Sequence, residues 1–113
     1  MEKLVKDGMV AVLYSPGYGA GWYTWNDKRI ECLFDPQIAA LVIADGGDEG
    51  GSIDKHVVKR IEIIAKNKWK DFYTGGAEDL RVKWIKEGEQ FEVTEHDGFE
   101  SINVIGECKY LIA

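Results

Sequence analysis

Positive charge is in short supply. Fourteen lysines and arginines stand against twenty aspartates and glutamates in 113 residues, a formal net charge of −6. That balance excludes wrapping a nucleic-acid polymer, because neutralising phosphates takes a basic face. It leaves room for a small nucleotide held by a few local donors, and for an acidic surface that mimics nucleic acid. Cysteine is scarce too. Cys32 and Cys108 form neither a C-x-x-C unit nor a zinc-ligand spacing and read as two half-buried thiols of a reducing compartment. His56 and His96, the two histidines, have no companion at metal spacing, so no metal site and no cofactor is expected. No apolar run approaches the ~20 residues of a membrane span, and "MEKLVKDGMV" has no signal-peptide hydrophobic region. The expectation is one soluble, cytoplasmic domain over residues 1–113, with no membrane partner.

Glycine and aromatic residues, by contrast, are concentrated. "YSPGYGAGWYTWN", Tyr14 to Asn26, is too broken for a helix and too rich in glycine for an ordinary strand. Gly17, Gly19 and Gly21 miss the dinucleotide fingerprint, since Trp22 stands where its third glycine belongs. Successive glycines nevertheless let backbone N–H groups converge on an anion. Tyr18, Trp22, Tyr23 and Trp25 offer flat faces for stacking, and Lys28 and Arg29 follow as candidate phosphate partners. "DFYTGGAEDL" repeats the theme and supplies Tyr73, Thr74 and, just beyond it, Arg81 as an opposite wall. The candidate ligand-binding set is therefore Tyr18, Gly19, Gly21, Trp22, Tyr23, Trp25, Arg29, Tyr73, Thr74 and Arg81. Two other readings stand beside the pocket: the rings plug the end of a sheet, or they form a protein or subunit interface.

The remainder reads as α+β: an antiparallel sheet with a three-stranded C-terminal meander, packed by two helices. Asp97-Gly98 is a two-residue hairpin signal flanked by apolar alternation. It sets Phe91 opposite Val104, Glu92 opposite Asn103, Val93 opposite Ile102 and Thr94 opposite Ser101. A second turn at Lys86–Glu89 would fold Trp84 back onto Phe91, Val82 onto Val93 and Lys83 onto Glu92, giving one core face of Leu80, Val82, Trp84, Phe91, Val93, Ile102 and Val104. "KYLIA" would add a short strand. The first helix follows Asp35 as N-cap with Pro36 at its first position. The second spans "SIDKHVVKRIEIIAKNKW", capped by Ser52, with an apolar stripe of Ile53, Val57, Ile61, Ile64 and Ala65. "MVAVLY" reads as a buried strand and "RIECLF" as another. "DGGDEGG", Asp45 to Gly51, reads as the most mobile stretch; it lacks the lysine of a phosphate loop and the ordered ligand spacing of a calcium loop.

No catalytic set assembles. Ser15, Thr24 and Thr74 have no identifiable base, and His96 sits on a hairpin tip without a nucleophile. The chain reads as a non-enzyme; nucleotide hydrolysis through His96 or the Glu78/Asp79 pair is the competing reading. Taken together, "SPGYGAGWYTWN", "LFDP", "FYTGGAEDL" and "EHDGFESI" resemble a family of small bacteriophage and prophage proteins, over about Val10 to Ile102. That resemblance implies a setting in the cytoplasm of an infected host. It implies either a binding protein that sequesters a nucleotide-derived defence signal or an acidic inhibitor of a host defence protein. The partner is accordingly expected to be a small nucleotide-like ligand or a host protein. Four tryptophans, five tyrosines and four phenylalanines are many for one small core, which favours a homo-oligomer.

Overall fold

The computed structural model describes residues 1–105 and 111–113. Their element order is β1 (Val5–Lys6), β2 (Met9–Tyr14), α1 (Glu31–Phe34), α2 (Pro36–Ala44), α3 (Lys55–Lys68), a 3₁₀ turn (Gly75–Asp79), β3 (Arg81–Lys86), β4 (Gln90–His96), β5 (Phe99–Ile105) and β6 (Leu111–Ile112). The strands form two antiparallel sheets of three, ordered β1-β2-β3 and β5-β4-β6. The architecture is α+β.

Two Asp-Gly dipeptides make the tight hairpins. At Asp97-Gly98 both residues have positive φ, 51° and 84°, as the favoured hairpin turn demands. The β4–β5 register is the expected one, from Phe91 opposite Val104 to Thr94 opposite Ser101. Asp7-Gly8 has the same signature, φ 53° and 76°, and folds β1 onto β2. Sequence reading passed over this second instance of the signal.

The turn at Lys86–Glu89 departs from expectation. It closes with a hydrogen bond from Glu89 N–H to the Lys86 carbonyl, but only Gly88 has positive φ there. Such a turn does not match the twist of two adjoining strands, and the chain crosses between sheets. β3 pairs instead with β2, Trp84 opposite Ala11 and Val82 opposite Leu13. The third strand beside β4 is β6, with Leu111 opposite Phe91. The expected meander therefore holds for β4 and β5 but not for β3. Its core face is correspondingly uneven: Leu80, Val82, Phe91 and Ile102 are buried, Trp84 and Val93 half-buried, and Val104 exposed. The short strand expected from "KYLIA" is present at Leu111–Ile112; Lys109 and Tyr110, and the thiol of Cys108, lie outside the described residues.

Val10, Ala11, Val12 and Leu13 are all fully buried, so β2 is covered on both faces, with α1 and α2 packed on it. "RIECLF" is not a strand: Glu31–Phe34 is one helical turn that buries Cys32, Leu33 and Phe34. Asp35 ends it and caps α2, accepting from Ile38 N–H at 2.9 Å, while Lys68 of α3 reaches the same carboxylate at 2.6 Å. Helix α3 is capped by Asp54, which accepts from His56 N–H; Ser52 lies outside the helix. Of the expected stripe, Ile53, Ile61 and Ala65 are buried and Val57 and Ile64 half-buried. The Asp45–Gly51 stretch is a folded connector: Val82 N–H donates to the Gly47 carbonyl and the Trp84 indole to Asp48.

Candidate functional site

The stretch from Ser15 to Asn26 wraps around the tip of the β4–β5 hairpin. Gly19 N–H donates to the Asp97 carbonyl at 2.9 Å. A Cβ on Gly98 would meet the backbone of Gly19 and Ala20 within 3.0 Å, so only glycine permits this approach. On one side of the hairpin the Tyr18 ring rests on Phe99, centroids 5.0 Å apart. On the other the Trp25 indole N–H donates to Glu95 at 3.2 Å. Phe99 and Glu95 point to opposite faces of the ribbon: Glu95 pairs with Glu100, and Phe99 and Glu100 are successive residues of one strand. The two rings thus grip the tip like a clasp.

The glycine-rich run does gather backbone donors around an anion, and the anion is internal. Glu100 is fully buried. One carboxylate oxygen accepts Ser15 N–H at 2.9 Å. The other accepts Trp22 N–H at 3.0 Å, Thr24 N–H at 2.8 Å and the Thr24 hydroxyl at 2.7 Å. Glu100 N–H in turn donates to the Ser15 carbonyl. No cation pairs with this carboxylate among the described residues. Four hydrogen bonds to a charged acceptor meet its desolvation instead; such bonds contribute roughly 1.5–3 kcal/mol each. Glu100 was not singled out from sequence, yet the signal was there: alternation along β5 places it on the same face as Ile102 and Val104.

Trp22 belongs to the interior. It is fully buried, donates its indole N–H to the Cys32 carbonyl at 2.7 Å, and packs edge-on against Phe72 with centroids 4.9 Å apart. Tyr23 is buried beside it. Burial, then the nearby Cys32 and Glu100, push the Tyr23 phenol above its ordinary value, and burial, helped by Glu100, pushes the Cys32 thiol up strongly. Gly21 is enclosed: a Cβ there would strike the Thr24 hydroxyl at 2.6 Å and the Trp25 ring at 2.7 Å. Its carbonyl would lie 2.4 Å from a Cβ on Gly76, so the two glycine-bearing loops meet backbone to backbone. Trp22 and Gly21, expected to line a pocket, are plug and packing, whereas Tyr23, though largely buried, borders a cleft of about 440 Å³ together with Lys28, Ile30, Glu92, Val93 and Leu111.

The second loop does come alongside, as expected for Tyr73. Asn26 clips the two together, donating to the Trp22 carbonyl at 2.6 Å and the Tyr73 carbonyl at 3.0 Å while accepting Tyr73 N–H at 2.7 Å. Trp25 and Tyr73 stack, centroids 5.8 Å apart and planes 27° off parallel. They are 41% and 50% exposed, and Tyr18 is 74% exposed. A cleft of about 230 Å³ lies beside the stack, with Arg29, Lys70, Asp27 and Asp71 among its lining residues. Thr74 is buried and turns towards Glu62 of α3, at 3.4 Å. Arg81 bonds the Leu80 carbonyl and Ser52, placing its guanidinium at the α2–α3 connector. Neither joins the other candidates at the cleft.

The hydroxyls and the histidine considered for catalysis stay apart. Thr24 is engaged by Glu100, Ser15 donates its hydroxyl to the Gly76 carbonyl, and His96 sits 3.5 Å from Asp97, with both side chains well exposed. Among the described residues no group of three or more metal-ligating side chains converges, and no helix is long and apolar enough to cross a membrane. Compared with family models, curated proteins and solved structures, the chain matches none.

Proposed function

We propose that this chain is a protein-binding module whose contact surface is the outer half of the clasp, centred on Trp25 and Tyr73, with Tyr18 displayed on the other side of the hairpin tip. The observation that carries this reading is the exposure of three large rings on a braced scaffold. Trp and Tyr are the residues that dominate binding energy at protein interfaces, and rings already held by stacking, by Glu95 and by the Asn26 clip lose little freedom on binding. The reading is favoured over a nucleotide pocket because the N–H groups of Ser15, Trp22 and Thr24 are turned inward on Glu100, and because the cleft beside the exposed rings, about 230 Å³, falls below the ~300–1,000 Å³ usual for small-molecule sites. In the phage setting that the sequence resemblance implies, the partner would be a host defence protein.

The test is capture of a stoichiometric partner, identified by mass spectrometry, with Trp25→Ala and Tyr73→Ala compared with the unaltered chain. Both variants should keep the melting temperature within a few degrees and lose the partner. Retention of the partner by both would overturn the reading. One observation supports a second reading, a small anionic aromatic ligand: Arg29 and Lys70 line the same cleft as the stacked rings and make no ion pair among the described residues. Saturable binding of phenyl phosphate, abolished in Arg29→Gln, would favour it.

A further inference from the structure

We infer that the partner presents a basic segment to this surface, arginine above all, recognised by the exposed rings together with the carboxylates set among them. The inference rests on the protein-binding reading and specifies the chemistry of its partner. Each ring has an acid close by in space or sequence. The Asp79 carboxylate lies against the backbone of Gly17, next to Tyr18; a Cβ on that glycine would fall 1.9 Å from it. Asp97 holds Gly19 through its carbonyl and leaves its side chain 80% exposed. Glu95 accepts the Trp25 indole N–H and Gly98 N–H, so its carboxylate is oriented beside the indole. Asp27 and Asp71 share the cleft with Trp25 and Tyr73. Against these five carboxylates stand the permanent cations Arg29 and Lys70, Lys28 between Asp27 and Arg29 in the chain, and, at the tip, His96, which sits 3.5 Å from Asp97. Apart from that contact none of the five is in an ion pair among the described residues.

The local sign agrees with the net charge of −6 over the whole chain. An acidic partner would meet like charge at nearly every ring, and like charges across an interface are strongly disfavoured. Arginine fits better than lysine. Its planar guanidinium stacks on Trp and Tyr faces and binds carboxylates through two parallel hydrogen bonds, which a compact ammonium cannot reproduce. An arginine laid on Trp25 would have the oriented Glu95 as its carboxylate.

The full chain should be titrated with short synthetic peptides of alternating glycine with arginine, with lysine or with glutamate. The readout is the NMR signal of the Trp25 indole N–H, assigned by its loss in Trp25→Phe. The arginine peptide should move that signal saturably, the lysine peptide more weakly and the glutamate peptide not at all, and added salt should weaken binding. The combined variant Asp27→Asn, Asp71→Asn, Glu95→Gln keeps side-chain shape and should lose about tenfold in affinity. Arg29→Gln should bind as tightly as the unaltered chain or up to about fivefold tighter. Preference for the glutamate peptide or for phenyl phosphate, or a combined variant that binds arginine peptide undiminished, would sink the inference. So would an unmoved Trp25 signal at millimolar arginine peptide. If that happens while Trp25→Ala still releases a captured partner, protein binding stands without the basic segment; if no partner depends on Trp25, the protein-binding reading itself fails.

Discussion

Trp22 and Trp25 lie three residues apart in one loop and meet opposite fates. Trp22 is sealed between Phe72 and the carbonyl of Cys32, with its backbone N–H on the Glu100 carboxylate. Trp25 lies on Tyr73 at the surface, its indole N–H on the exposed Glu95. Each tryptophan donates to one glutamate of the same strand pair, since Glu95 and Glu100 face each other across the hairpin. The clasp therefore has an inner half that anchors the loop and an outer half that is displayed. Residue type does not separate the two; the depth of the partnering carboxylate does.

The widest gap between the halves should appear in stability. Trp22→Ala should cost about 3–5 kcal/mol in urea unfolding, as expected for truncating a fully buried aromatic side chain, while Trp25→Ala should cost about 1 kcal/mol, since it loses mainly one partly exposed stack. Equal losses would erase the distinction. Glu100→Gln comes next. It turns an amide N–H₂ towards groups that themselves donate and should cost about 3 kcal/mol. Glu100→Ala should be similarly weakened and regain part of the loss when formate replaces chloride at equal ionic strength. Failure of formate to help would mean that the donors around Glu100 do not form an anion site. Asn26→Ala tests the clip between the loops and should cost about 1–3 kcal/mol through the unpaired Tyr73 N–H.

Two smaller effects report on one half each. Cys32 should resist iodoacetamide in the native protein and react only on unfolding, because its thiol is buried and poor in thiolate; peptide-level mass spectrometry measures this. On the outer half, the hydrogen bond from Gly98 N–H, followed by that from the Trp25 indole, holds the Glu95 carboxyl below the ordinary glutamate range. A carboxyl lowered on folding adds stability that is complete above its unfolded value and is lost as pH falls through the folded one. The Trp25 indole signal should accordingly shift at a pH below the ordinary glutamate range, and Glu95→Gln should abolish that titration. A shift at the ordinary value would show that the pairing is not kept in solution.

What could be read in advance was local. Asp97-Gly98 carries its own backbone requirement, and the alternation beside it admits one register. Asp35-Pro36 announces a helix start through a cap and a preset φ. The Lys86–Glu89 turn misled because a glycine turn between two alternating strands specifies a reversal without specifying which sheet the next strand joins. "RIECLF" misled because an apolar run of that length suits a strand or a single helical turn equally well. At the candidate site, the glycines were read as donors to a bound phosphate, whereas the N–H groups that converge on an anion are those of Ser15, Trp22 and Thr24. That the anion would be Glu100 depended on a pairing 76–85 residues away in the chain.

By itself the amino-acid order determined the α+β character, the register of the 97–98 hairpin, the capped helix after Asp35 and a loop built to approach another backbone closely. Tertiary structure alone decided that β3 joins β2, that Glu100 fills the clasp from within, and that Trp22 goes inside while Trp25 stays out. The physical reason is range. Turn geometry, capping and alternation act over a few residues, whereas burying a charge or a ring needs partners that come together only once distant strands have met.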